Sequence, residues 1–231
     1  CSCSRPARSE DTNYMIYLRD VEKSYPSASS RRVILKSTSM AIPTNRAVAI
    51  LGRNGAGKST LLRLLAGVEP PDRGEIIRDA SISWPIGFGG AIHSALTGRQ
   101  NAEFVANLHG ADPDEVVAFV EDFSELGDYF DMEVSTYSSG MRARLNFALS
   151  FAIDFDCYLV DEATATGDKK FRQKSLEAFR ARRQRSGVLF ISHNPNVVRQ
   201  YCEMGIVLRD GDLIPFEDLE DAIRFYEATA M

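Results

Sequence analysis

The chain has 231 residues, 44% of them hydrophobic and 26% charged, enough for one globular domain with an ample core. A net charge of −5 and an isoelectric point near 5.3 argue against a nucleic-acid binder, which would carry a basic face. No apolar run approaches the roughly 18 residues that span a bilayer, and residues 145–153, among the longest, are interrupted by Asn146 and Ser150.

The first fourteen residues, CSCSRPARSEDTNY, are polar, lack the apolar segment of a secretory signal and read as a disordered extension. Two of the four cysteines, Cys1 and Cys3, lie in it. With Cys157 and Cys202 they show neither zinc spacing nor disulfide density, so free thiols in a reducing cytoplasm are expected. Short apolar runs at 15–21, 47–51, 81–84, 157–161, 188–192 and 204–208 are bounded by turn residues and read as strands. Helical patterns fall between most of them. One begins at Ser59 and runs to 65. Thr97-Gly98-Arg99-Gln100 fits a capping box opening a helix to about 108, and Asp112-Pro113 offers an N-cap with proline at the first helical position before a helix to about 122. A longer amphipathic helix covers 169–185, its end rich in arginine (Arg180, Arg182, Arg183, Arg185), where positive charge favours the helix dipole. A last helix spans about 216–228. Residues from about 90 to 152 hold no convincing strand and read as a helical insert. Strands alternating with helices predict an α/β fold, one domain over 15–231, on a mostly parallel core sheet flanked by helices.

Between the strand Ala47–Leu51 and the helix that follows lies GRNGAGKST, residues 52–60, which fits G-x-x-x-x-G-K-[ST]. The residue types follow from phosphate capture. Gly52, Gly55 and Gly57 permit backbone that a Cβ would obstruct, so amide N–H groups from Gly52, Arg53, Asn54, Gly55, Ala56 and Gly57 onward can converge on phosphate oxygens at a helix N-terminus. Lys58 adds a point charge, Ser59 a hydroxyl for Mg²⁺, and Thr60 completes the nucleotide-binding set at the start of the helix. Near residue 160 the run CYLVDE ends in two carboxylates, where a buried strand of an α/β sheet presents residues to ligand. Asp161 suits Mg²⁺ and Glu162 the polarisation of an attacking water; a solvated Asp-Glu pair is the plain alternative.

GRNGAGKST, YSSGM ahead of RARL, LVDE and Ile191-Ser192-His193 together resemble the ATP-binding cassette (ABC) superfamily over essentially 15–231. The resemblance implies a P-loop ATPase fold with an antiparallel β portion and a helical insert. It implies ATP and Mg²⁺ as ligands, Tyr25 stacking on adenine, and Ser138, Ser139 and Gly140 in the signature that closes over the γ-phosphate of a second subunit. It further implies Asp168 in the loop linking two sites and His193 as the switch histidine. The plain alternatives are a surface aromatic for Tyr25, a strand-end histidine for His193 and a helix N-cap for Asp168. Tyr137, Ser139 and Met141 replace the leucine, first glycine and glutamine of the family's LSGGQ. The glutamine that the family usually carries after the strand following the glycine loop is missing from residues 84–93, with His93 the nearest polar candidate or else a surface histidine.

ISWPIGFGG, SALTGRQNAEFVA, FSELGDYFD, TYSSGMRARL and VDEATATGD further resemble the KpsT-like ATPase subunits of capsular-polysaccharide exporters. That likeness implies a dimer of two copies sandwiching two ATP molecules, at the cytoplasmic face of the bacterial inner membrane. A separate integral membrane permease would dock on the helical insert, with no nucleic acid bound and no direct contact with the exported glycan. A non-transport cassette ATPase acting on nucleic acid or ribosomes, and a nucleotide-sensing regulator, are the rival readings.

Overall fold

AVAIL, CYLVD and GVLFI are runs with almost no polar residue, so neither face of the strands they form can meet water. They become β3 (Ala47–Leu51), β5 (Cys157–Asp161) and β6 (Gly187–Ile191), buried throughout except at Asp161. With β7 (Met204–Arg209) they form a parallel array, and β8 (Asp212–Phe216) adds antiparallel to β7, giving the order β5-β6-β3-β7-β8. A second sheet, order β2-β1-β4, is antiparallel and consists of β1 (Met15–Pro26), β2 (Arg31–Pro43) and β4 (Arg73–Arg78). This computed structural model describes residues 14–26, 31–86, 92–161, 169–183, 185–192 and 194–229.

Strand alternation sorts β3 between two cores. Val48 and Ile50 point into a cluster with Ile16, Leu18 and Leu35 of the antiparallel sheet and with Leu61, Leu62 and Leu65 of helix α1 (Lys58–Ala66). Ala47, Ala49 and Leu51 point the other way, into the cluster that takes in the helical part of the chain. α1 is thus clamped to the sheet by fully buried leucines, each worth about 1.5–3 kcal/mol of burial, and the loop preceding it is held at the C-terminal edge of β3.

Helices α2 (Gly98–His109), α3 (Pro113–Ser124) and α4 (Ser139–Ala152) occupy the middle of the chain, with 3₁₀ turns at Gly127–Asp131 and Val134–Thr136. The capping box at Thr97 is formed in both directions: Gln100 N–H donates to Thr97 Oγ1 at 3.1 Å and Thr97 N–H to Gln100 Oε1 at 3.0 Å. Asp112 caps α3 through Asp114 N–H at 2.9 Å and Glu115 N–H at 3.2 Å. Asn101 is fully buried and stitches the approach to α2, accepting from His93 N–H at 2.8 Å and donating to the carbonyls of His93 (3.1 Å) and Thr97 (2.8 Å). The chain continues through α5 (Lys169–Arg183), α6 (Pro195–Tyr201) and α7 (Leu219–Thr229).

Several expected boundaries are corrected. Residues 81–84 form no strand: Ile82 and, just beyond them, Ile86 touch β5 through isolated parallel bridges to Cys157 and Val160. The cause is local: Ser83 N–H donates to Cys157 O at 2.9 Å, but the next partner of Leu159 N–H is the Ser83 hydroxyl, at 2.9 Å, in place of a backbone carbonyl. Pro85 then has no N–H to give, and Ile86 N–H takes the Leu159 carbonyl at 2.8 Å. The helix expected over 169–185 ends at Arg183. The one expected over 216–228 begins at Leu219, because Phe216 belongs to β8 and Asp218 accepts from Glu220 N–H at 2.8 Å and Asp221 N–H at 3.1 Å. The strand expected over 15–21 runs on to Pro26, which places Tyr25 in the sheet.

Candidate functional site

The loop 52–57 leaves β3 and turns into α1 with Gly57 as N-cap, at φ 108°. A side chain is excluded there twice over, by the left-handed backbone and by the Ile34 side chain where a Cβ would stand. Gly52 is constrained differently, since a Cβ on it would lie 2.7 Å from the Leu208 carbonyl. Gly57 supplies no side-chain cap and the first turn of α1 holds no acidic residue, so the helix dipole and its leading N–H groups face the groove. That groove, about 760 Å³, is lined by Tyr25, Pro26, Arg32, Ile34, Asn54, Gly55, Gly57, Lys58, Ser59, Thr60, Asp161, Ile191 and Ser192.

Lys58 is 9% exposed and its ammonium lies along the loop, donating to Gly52 O at 2.6 Å and Arg53 O at 3.0 Å. Ser59 and Asp161 are 102 residues apart in sequence, yet the Ser59 hydroxyl donates to Asp161 Oδ2 at 2.9 Å across the groove floor. Two hard oxygens, one of them a carboxylate, meet beside a phosphate loop, a donor set that suits Mg²⁺ sharing its remaining positions with phosphate and water.

Tyr25 joins the groove lining from β1. Its hydroxyl donates to Glu69 Oε1 at 2.5 Å and accepts from Arg63 Nη2 at 3.3 Å, while Arg63 also reaches Thr60 Oγ1 at 3.0 Å and Glu69 Oε2 at 3.1 Å. Lys23, 8% exposed, closes the cluster with Glu69 at 2.9 Å and Asp72 at 3.3 Å. Burial by itself would raise the Glu69 pKa, but hydrogen bonds from Tyr25, Lys23 and Arg63 outweigh it and hold the carboxyl below the usual range. Burial likewise pulls Lys23 down, and its bonds to Glu69 and Asp72 carry it above the ordinary lysine value. The phenol is therefore fixed at its hydroxyl end while its ring borders the groove.

Ser138, Ser139 and Gly140 open α4: Ser138 is the N-cap, accepting from Met141 N–H at 3.2 Å, and the other two form the first turn. None of the three lines the groove of their own chain. A Cβ at Gly140 would meet only Ser138 Oγ, at 3.9 Å, so nothing within the described chain demands glycine there. Tyr137 is a core residue, its hydroxyl donating to Tyr129 O at 2.6 Å and burial raising its pKa. His93 has an exposed side chain and joins the fold through its backbone to Asn101. Glu162, Asp168 and His193 lie outside the described residues. The sequence reading missed Arg32, Ile34 and Ser192 as groove residues. The first two sit on β2, a strand it had not placed, and the Arg-Arg pair ahead of Val33-Ile34-Leu35 was the available signal.

The geometry agrees with four likenesses. Residues 35–165 match the family model described as ABC transporter. The chain is 46% identical to the capsule polysaccharide export ATP-binding protein CtrD of Neisseria meningitidis, over 93% of this chain and 99% of that one. It is 44% identical to the polysialic acid transport ATP-binding protein KpsT of Escherichia coli, over 92% and 96%. Among solved structures, the dimeric bacterial cassette MJ0796 superposes with a TM-score of 0.69 at 23% identity, covering 88% of this chain and 98% of that one.

Proposed function

Because the chain belongs to the ABC transporter family, we propose that it is the ATP-binding and hydrolysing subunit of an exporter of capsular or other cell-surface polysaccharide. It would act at the cytoplasmic face of the bacterial inner membrane on a separate permease. The observation that carries the ATPase reading is the Ser59 hydroxyl on the Asp161 carboxylate at 2.9 Å, directly beside a phosphate loop at the head of α1. The glycan cargo rests on the named relatives, which this chain matches over nearly their whole length at 44–46% identity. Among the described residues no helix is long and apolar enough to cross a membrane, so the pathway for the glycan falls to the permease.

In this reading the N–H groups of residues 52–59 and the Lys58 ammonium hold the β- and γ-phosphates, and the Tyr25 ring supports the base. Ser59 and Asp161 would hold Mg²⁺, which when bound neutralises charge developing on the transferred phosphoryl oxygens. Glu162 takes the proton of the attacking water, and His193 donates toward the γ-phosphate. Ser138, Ser139 and Gly140 serve the groove of a second copy, and Asp168 lies in the loop joining the two sites. The open space at Gly140 supports close approach from outside the chain. The helices from about 90 to 152 form the unit on which the permease docks.

Isolation of the tagged chain from detergent-solubilised membranes should recover a polytopic protein in fixed proportion; recovery only from the soluble fraction, alone or with ribosomes, rejects the transporter reading. Glu162→Gln should keep ATP binding and lose roughly 10²- to 10⁴-fold in turnover, the span for removing a general base. Steady-state phosphate release unchanged by that substitution would remove Glu162 from the mechanism.

A further inference from the structure

We propose that Arg32 is a further nucleotide-binding residue, its guanidinium contacting the phosphate chain from strand β2. The inference rests on the reading of the groove as an ATP site. Arg32 is the direct cross-strand partner of Tyr25 in the antiparallel pairing of β1 with β2, so the two side chains leave the sheet on one face. Both line the groove, and so does Ile34, two residues further along the same face. The guanidinium donates to the carbonyl of Gly55, in the middle of the phosphate loop. One side chain therefore reaches from the base platform to the phosphate seat.

Its charge environment separates it from its neighbour. Arg31 faces the other side of the strand and spends its guanidinium on Asp72 at 3.5 Å and Ser24 Oγ at 3.0 Å. Among the described residues Arg32 has a carbonyl and no carboxylate as partner. A guanidinium offers five N–H donors in a planar fork and keeps its charge at any working pH, so a single carbonyl leaves most of its capacity for an anion. The groove already collects positive potential from Lys58 and from the leading end of α1, and a nucleoside polyphosphate is the anion that fits between a tyrosine ring and such a loop. The bond to Gly55 also orients the fork before nucleotide arrives, which lowers the entropy lost on contact.

The test measures nucleotide binding by calorimetry on the full chain as wild type, Arg32→Gln and Arg32→Lys, with thermal melts as a control for folding. Arg32→Gln should weaken ATP and ADP by about tenfold or more, the loss expected for one charge-assisted contact, with an unchanged melting midpoint. Arg32→Lys should stay within a few-fold of wild type. Inorganic tripolyphosphate, competing against a fluorescent ATP analogue, should lose affinity in Arg32→Gln by a similar factor, because the contact is to phosphate and not to the base. Wild-type affinity in Arg32→Gln overturns the assignment while leaving the ATP site standing. Arg32→Lys as weak as Arg32→Gln, or tripolyphosphate unaffected, overturns it in favour of a loop-bracing or base-stacking role. A wild-type chain that binds no ATP overturns both readings.

Discussion

At the scale of single residues, Lys58 shows how a charged group is kept in a nearly closed position. Its ammonium is matched by the Gly52 and Arg53 carbonyls at 2.6 and 3.0 Å, so nucleotide must compete with the loop's own acceptors. Replacement by alanine removes a charge-assisted donor worth about 1.5–3 kcal/mol, and Lys58→Ala should bind ATP roughly 10- to 100-fold more weakly in calorimetry. Undiminished affinity would show that the ammonium stays on the carbonyls after nucleotide enters. The loop was legible from sequence because its residue types are dictated by chemistry at fixed spacing. The Ser59–Asp161 contact was legible only as two separate ligand candidates, since their meeting depends on β3 and β5 each ending at the same sheet edge. The anchoring of Tyr25 by Glu69 and Arg63 had no sequence signal, because it joins residues 38 to 44 positions apart through side chains alone.

At the scale of elements, most of the expected strands that held were buried on both faces, where apolar content alone decides, and β1 held through the alternation of buried Ile16 and Leu18 with exposed Tyr17 and Arg19. Those missed were at sheet edges or carried breaks. β2 includes Lys36, Ser37, Thr38 and Ser39, and its register with β1 shifts in three places; β4 opens on Arg-Gly; β8 contains Pro215, which an outer strand tolerates. The converse error, at 81–84, came from a hydroxyl and a proline that interrupt the ladder despite an apolar run. Next to that interruption the end of α2 meets the loop through aromatic rings: His109 lies 5.5 Å from Trp84 and 5.2 Å from Phe155, and Trp84 Nε1 donates to Ser150 Oγ at 2.9 Å. Partial burial lowers the His109 pKa, so the folded chain favours the neutral ring. The contribution of this contact to stability is complete above the unfolded value near pH 6.5 and declines as pH falls toward the lower folded value. Trp84 is the chain's single tryptophan. Its emission should show a titration with a midpoint below pH 6.5 that disappears in His109→Gln; an unaltered titration in that variant would assign it to another group.

At the scale of the whole molecule, the signature residues and the phosphate loop of one chain belong to different surfaces, since Ser138, Ser139 and Gly140 are absent from their own groove. If each serves the other copy, two defects in different chains can complement. Lys58→Ala and Ser138→Arg should each abolish hydrolysis as homodimers, and an equal mixture should recover about a quarter of wild-type activity, one intact site in half of the dimers. A mixture as inactive as its components would place the signature's action within its own chain. The segment beside β5 matters at this scale as well. β5 is the outermost strand of its sheet and carries Asp161 at its end, a row of backbone groups that an arriving chain would otherwise extend. Its Cys157 and Leu159 carbonyls and the Leu159 N–H are already taken by Ser83 and Ile86, through a stretch that Pro85 prevents from becoming a strand itself. The broken ladder thus caps the sheet against end-to-end stacking of one molecule on the next, and the flank of the nucleotide groove is kept from becoming a seed for aggregation.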